Sequence, residues 1–323
     1  MKKLLLAVVS LATLMGSALA QTLTVTSPND NDFLGRNNRL RFTIRSLSSQ
    51  ARVVVTTVNV ARPTIKFSTE GLFDPNVSNE VNDSLSLNFD AATPTGKYTI
   101  SVEMFVQGTS RSTTTISNVE IDTRNPRFKN VAPANNAFVN RIVPIRADLD
   151  EPNPKLWRVS VNDRDIPNNS GEDTRIRVSW DTEQIEFDGS QSISLRAEDR
   201  AQNVATRSIN VTLDRVASTT TVLSPGNVNY RPGATIPVSI QVVDQFSGSV
   251  NALGVTVELR TLDGRYLGRV SRLSVRGTDN GLLWTGRIRL GSNLPKQFKL
   301  VTRVTDRAGN VAQNQEVVVT IGR

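Results

Sequence analysis

Along residues 21–323 apolar side chains recur at every second position in short runs, with Gly, Pro, Asn and Asp between the runs. Leu40, Phe42 and Ile44 alternate in this way, as do Val143, Ile145 and Ala147, and Ile236, Val238 and Ile240. A period of two puts successive side chains on opposite faces of a strand, so each run predicts a strand with one buried face. The same pattern predicts strands at residues 52–60, at Tyr98–Met104, at Trp157–Val161, at Ile176–Trp180, at Ile193–Ala197, at Val255–Leu259 and at Phe298–Val304. No stretch of helical length carries a 3.6-residue period, and β-branched residues abound. The fold class predicted is all-β.

Two phrases repeat. Residues 199–205 read DRAQNVA and residues 306–312 read DRAGNVA; each is followed by alternating residues up to Leu213 or Ile321, then by Arg215 or Arg323. Near the other end of each unit a proline precedes an aromatic residue by five: Pro28 and Phe33, Pro133 and Phe138, Pro225 and Tyr230. These repeats predict three modules, 21–123, 124–215 and 216–323, each a sandwich of about seven strands. The DRAxNVA phrase fits the hairpin between the last two strands. Asp199 or Asp306 is expected to close the turn on backbone N–H groups, and Gly309 or its counterpart Gln202 to occupy the bend. Asn203 or Asn310 is expected at positive φ, with Val204 or Val311 opening the final strand. Trp180 and Trp284 occupy matching places and read as core.

A hairpin of the form D-x-A-G-N-x-A near the module end resembles that of tandem bacterial immunoglobulin-like domains of exported surface proteins. The match is close in the third module (Asp306, Ala308, Gly309, Asn310, Ala312). The second departs at Gln202, and the first has Gln107-Gly108-Thr109 instead. The resemblance implies three tandem Ig-like β-sandwiches serving as a spacer, stalk, adhesin or subunit of an envelope assembly.

Residues 1–20 read as a signal peptide: Lys2 and Lys3, an apolar stretch, then Ala18-Leu19-Ala20 before Gln21. Export to a periplasm, a cell surface or the medium is expected, with no transmembrane anchor. The chain has no histidine and no cysteine. That removes Ser-His-Asp and Cys-His catalysis, disulfides, and zinc and iron–sulfur sites. No P-loop or dinucleotide fingerprint occurs. The acidic run Asp181, Glu183, Glu186 and Asp188 reads as a solvated turn, so no enzyme is expected. Three groups have oxygen ligands suited to calcium: Asp30-Asn31-Asp32, Asp148 to Glu151, and Glu198-Asp199. They read as Asx turns and solvated loops, and no metal or cofactor is expected.

Charge changes the picture in one place. The third module holds 13 basic and 6 acidic residues, while the other two are near neutral. Arg265, Arg269, Arg272, Arg276, Arg287 and Arg289 carry much of this excess. Arg287 and Arg289 alternate with Ile288 and Leu290, hence share one strand face. Arginines so placed suit phosphate or carboxylate groups. The partner expected is an anionic envelope polymer, an anionic lipid surface or an acidic protein; without interleaved aromatics there is no specific nucleic-acid signal. The function expected is non-enzymatic binding or scaffolding in the cell envelope. One alternative is a carbohydrate-binding array, for which Trp157 and Tyr266 are the aromatics left to the surface. The other is a periplasmic chaperone or accessory subunit of a secretion or pilus machine, working through an open sheet edge.

Overall fold

The computed structural model describes residues 20–246 and 254–322. The signal-peptide reading, apart from Ala20, and Arg323 lie outside the described residues. The described residues are built from strands, with one turn of 3-10 helix at Thr182–Gln184. Six sheets enclose three hydrophobic cores. By contact the described residues form two compact units. One runs to Asn125 and includes Asp199–Asn203; the other comprises Pro126–Glu198 and the chain from Val204.

The first core lies between sheets formed by β1 (Thr22–Ser27), β2 (Phe33–Leu34), β3 (Asn37–Arg45), β4 (Ala51–Asn59), β5 (Lys66–Phe73), β6 (Glu80–Asn88), β7 (Gly96–Val106) and β8 (Thr109–Ile121). One sheet has the order β1-β3-β6 and the other β2-β8-β7-β4-β5. The second core lies between sheets formed by β9 (Arg127–Ala132), β10 (Ala137–Val139), β11 (Ile142–Asp150), β12 (Pro154–Val161), β13 (Arg164–Gly171), β14 (Arg175–Asp181), β15 (Gly189–Asp199) and β16 (Val204–Leu213). Their orders are β14-β11-β9 and β10-β16-β15-β12-β13. The third uses β17 (Thr219–Ser224), β18 (Asn229–Tyr230), β19 (Thr235–Val243), β20 (Gly254–Arg260), β21 (Tyr266–Arg269), β22 (Leu273–Thr278), β23 (Gly281–Arg289), β24 (Gln297–Thr305) and β25 (Glu316–Ile321). Here the orders are β17-β19-β23-β22 and β18-β25-β24-β20-β21. This connectivity is that of Ig-like sandwiches, and there are three in tandem.

Each sandwich has more strands than the seven expected: in all three the entry strand is split, and the third also adds β22 beside β23. A proline has no N–H to give to a ladder, so pairing stops there. At Pro28, Pro133 and Pro225, each preceded by a cis peptide bond, the chain leaves one sheet for the other. Thus β1 pairs antiparallel with β3, whereas β2 pairs parallel with β8. The aromatic five residues after each proline lies on the short parallel strand: Phe33 opposite Glu120, Phe138 opposite Thr212, Tyr230 opposite Ile321. Val204 opens β16 as expected. Val311 does not open β25: it forms only an isolated bridge with Thr305, and pairing resumes at Glu316.

The two-residue period is realised as burial. Along β7 every second residue from Tyr98 to Val106 is buried. Trp180 is buried in the second core, and Trp284 packs half-buried against the third. The start of the penultimate strand carries a recurring feature. Tyr98 stands opposite Val119, Gln191 opposite Val211 and Phe298 opposite Val319. The Tyr98 hydroxyl donates to the carbonyl of Pro94 (2.8 Å), and the Gln191 amide to that of Phe187 (3.1 Å). In each case a buried side chain satisfies a carbonyl four residues upstream, as the tyrosine corner of Ig domains does; Phe298 only fills the space. Two expected outcomes test these assignments by urea unfolding. Tyr98→Phe should lower stability by about 1 kcal/mol, the net worth of one buried hydrogen bond. Trp180→Ala should cost about 3–5 kcal/mol through the cavity it opens.

Candidate functional site

The two DRAxNVA hairpins are buried polar features with the same internal geometry. The Asp306 N–H donates to the Asn310 carbonyl (3.0 Å), and the Asp306 carboxylate receives the Asn310 backbone N–H and side-chain amide, each at 2.8 Å. The second copy is built alike: the Asp199 carboxylate receives the Asn203 backbone N–H and side-chain amide, each at 2.8 Å. The positive-φ residues are Gln202 (66°) and Gly309 (89°). Asn203 and Asn310 are not among them, which corrects their expected backbone role. Asparagine is needed there for its amide, not for its tolerance of a left-handed backbone.

That amide reaches beyond the turn. The second N–H of Asn310 Nδ2 donates to the carbonyl of Asp214 (2.8 Å), and Asn310 Oδ1 accepts from Asn140 Nδ2 (2.6 Å). Asn203 Nδ2 donates to the carbonyl of Asp122 at the same distance. Each hairpin therefore ties down the segment that follows an earlier final strand. The arginine of each phrase stacks on an aromatic marked by the other repeat: Arg307 lies 4.9 Å from the ring centre of Phe138, Arg200 5.7 Å from that of Phe33. Cations over ring faces in this range are attracted by the ring quadrupole. The two sequence repeats are thus two halves of one contact.

Beside the Asn310 amide lie three carboxylates. One oxygen each from Asp214, Asp244 and Asp306 fall within 4.8 Å of one another. Asp214 is 1% exposed. Its Oδ1 accepts a 3.2 Å bond from the Val216 N–H, and no donor among the described residues reaches its Oδ2. Asp244 accepts from the Ser218 hydroxyl (2.5 Å) and from the Phe246 N–H (3.0 Å). Burial, and then the charges of Asp244, Asp306 and Asp188, push the Asp214 carboxyl up to about 6. A carboxyl raised on folding binds its proton more tightly in the folded chain. Its cost to stability is complete above about pH 6 and fades as the pH falls toward the ordinary carboxylate value. Burial likewise pushes Asp199 up, against the hydrogen bonds from Asn203.

Among the calcium candidates read from the sequence, Asp30, Asp32, Asp148 and Glu198 are engaged by groups of the protein. Asp30 accepts from the Ser117 N–H and Asp32 from that of Asn29. Asp148 is held by Asn130 and Arg177, and those contacts lower its carboxyl. Glu198 pairs with Lys155 and Arg196, whose hydrogen bonds lower it as well. In the acidic run after Trp180, Asp181 caps the 3-10 turn at the Glu183 N–H, and Asp188 pairs with Arg215.

The six arginines fall on two sheets. On β23, Arg287 and Arg289 are exposed while Ile288 is buried. On the neighbouring β22, Arg276 stands opposite Leu283, and Leu273, next to Arg272, stands opposite Gly286. Arg272, Arg276, Arg287 and Arg289 are all exposed, and none of them has an ion-pair partner among the described residues. Arg269 ends β21 in the other sheet, opposite Glu258, and Arg265 lies in the turn before it. Trp157 is not a surface residue. It is 6% exposed, packs in the second core and donates to Asp173, leaving Tyr266 as the exposed member of that pair.

Sequence reasoning missed Asp214, Asp244 and Asn140. They are distant in sequence from the hairpin, and no local motif marks them. Neither a protein-family model nor a curated protein matches the chain. Among solved structures it is similar to fibronectin(III)-like modules of Clostridium thermocellum CbhA (10% identity over 61% of this chain and 93% of that one, TM-score 0.40). It is also similar to titin domains A168–A170 (14%, 93% and 99%, 0.36) and to a bacterial ice-binding adhesin (16%, 94% and 98%, 0.30). Among the described residues no helix is long and apolar enough to cross a membrane.

The hairpin geometry gives a direct expectation. Asn310→Ala should cost about 2–3 kcal/mol, since the Asp306 carboxylate and the Asp214 carbonyl both lose a buried donor. Asn310→Asp should be worse at neutral pH, because it sets a further carboxylate beside Asp306 and Asp214. Urea unfolding of the two variants at one pH checks the order.

Proposed function

We propose that the chain is an exported, non-enzymatic array of three Ig-like modules, with boundaries at 21–123, 124–215 and 216–323. In this reading it serves the cell envelope by docking an anionic polymer on the third module. The observation that carries the reading is the outward face of β22 and β23. Arg272, Arg276, Arg287 and Arg289 project there without ion-pair partners, on a sheet whose other face is packed on the core. Guanidinium groups held by a rigid sheet meet phosphate or carboxylate groups bidentately, with little ordering left to do on binding. Arg265 and Arg269 belong to the opposite sheet and would extend the positive field without sharing the contact face.

Two further features support a binding role over catalysis. The chain has no histidine or cysteine, and the carboxylates of the acidic run serve the turn and Arg215. The hairpin amides fix the backbone of the segments they reach, which suits a protein that presents a rigid surface. Export rests on the leader-like residues 1–20. The carbohydrate-binding reading loses half of its aromatic pair with the burial of Trp157.

Retention of the full chain on immobilised polyphosphate and on heparin tests this function. The double variant Arg287→Glu/Arg289→Glu should elute at clearly lower salt than the wild type. Reversal of Arg164 and Arg175, two exposed arginines of the second module, should shift elution much less. Equal shifts for the two variants would reduce the attraction to net charge alone and remove the docking face. Retention on an acidic protein but on neither polymer would move the partner to that class.

A further inference from the structure

We propose that Asp214, Asp244 and Asp306 hold one divalent cation of the calcium class, at a site independent of the arginine face. The three carboxylates converge from sequence-distant segments: the stretch after β16, the loop after β19 and the hairpin after β24. Three acidic groups brought together only by folding repel one another, and that repulsion needs a counter-charge. The cations adjacent in sequence do not supply it. Arg215 is turned to Asp188 (2.5 Å) and to the carbonyls of Thr182 and Ile185, and Arg307 lies over Phe138.

The independent sign of a ligand is Asp214 itself. It is 1% exposed, lies against the other two carboxylates, and has an oxygen that no donor among the described residues reaches. A buried carboxylate oxygen without a donor is unfavourable unless something cationic meets it. The donor set is oxygen only, which selects a hard cation. Oxygens on opposite sides of a calcium ion, at ~2.3–2.6 Å from it, are ~4.6–5.2 Å apart. The three oxygens lie within 4.8 Å of one another, close enough to share one such shell. The hydrogen bonds already made do not block coordination, since a carboxylate oxygen carries more than one lone pair. Asn310 then acts as a positioning residue: its N–H groups fix the Asp306 carboxylate and the Asp214 backbone. Ser218 does the same for Asp244. The bound ion would join the linker at Asp214 to two loops of the third sandwich, adding a rigid bond where the amide makes a directional one.

The test is calcium binding to the full chain after chelator treatment, by titration calorimetry, together with thermal unfolding. In the wild type, calcium at about a hundred times its Kd should raise the unfolding midpoint by about 5–10 °C. Asp214→Asn should bind one calcium fewer and lose that rise. It should also melt higher than the wild type in the absence of calcium, because it removes the buried repulsion. The last effect separates loss of a site from mere damage to the fold. Should Asp214→Asn fail to fold, Asp244→Asn, which is less buried, must show the same loss of one calcium. Unchanged stoichiometry in the variant that folds, or no wild-type binding at millimolar calcium, overturns the proposal. An equal response to magnesium overturns the assignment to calcium.

Discussion

One buried side-chain amide organises the polar part of this structure. Asn310 spends both of its Nδ2 hydrogens and its Oδ1 on different segments: the Asp306 carboxylate, the Asp214 carbonyl and the Asn140 amide. Its backbone N–H meets Asp306 as well. An amide offers two donors and two acceptor lone pairs in a fixed plane, and here that plane serves hairpin, linker and strand end together. In a site that excludes water each such bond is electrostatically stronger than at the surface, and each is costly to leave unmade. Asn203 repeats the arrangement with Asp199 and Asp122. The sandwich cores are held by apolar burial, which has no direction. The hydrogen bonds of these amides are directional, and the arginine–aromatic stacks lie in the same two hairpins.

The carboxylates follow from the same constraint. An amide that must reach a linker carbonyl draws the linker against the hairpin, and both carry an aspartate. Asp306 is required by the hairpin, because it receives two N–H groups of Asn310. Asp214 comes with the linker and receives a single N–H on one of its oxygens. The difference between them explains why one carboxylate is satisfied within the protein and the other is not. A fold that only needed the turn would gain from an uncharged residue at 214. The aspartate opposes folding above about pH 6 unless a cation meets it.

Much of the fold was legible because period-two burial is a local signal. Leu40, Phe42 and Ile44, or Ile236, Val238 and Ile240, read as strands from a few residues, and all are buried. The proline-to-aromatic spacing was legible too, although its meaning was not. Only the sheet topology reveals that Pro28, Pro133 and Pro225 end one ladder and that the aromatic begins a parallel one. The errors lie where local sequence is ambiguous. Asparagine in a hairpin suits both a positive φ and a side-chain clamp, and the propensity argument chose the backbone role. Trp157 sits on a strand with alternating neighbours, yet its indole N–H finds Asp173 and the ring stays inside.

The candidate sites divide along the same line. Arg287 and Arg289 could be placed on one face from alternation alone, because two residues of one strand need no tertiary information. Adding Arg272 and Arg276 needed the pairing of β22 with β23, and separating Arg265 and Arg269 needed the strand between Tyr266 and Arg269, which had no clear periodic signature. The carboxylate cluster was invisible for a deeper reason. Asp214, Asp244 and Asp306 each follow a strand end, where aspartate is common for turn chemistry. Nothing at any of the three positions distinguishes a turn aspartate from a ligand. The distinction exists only in what each oxygen finds on folding, and it is clearest at Asp214 Oδ2, which meets no donor among the described residues.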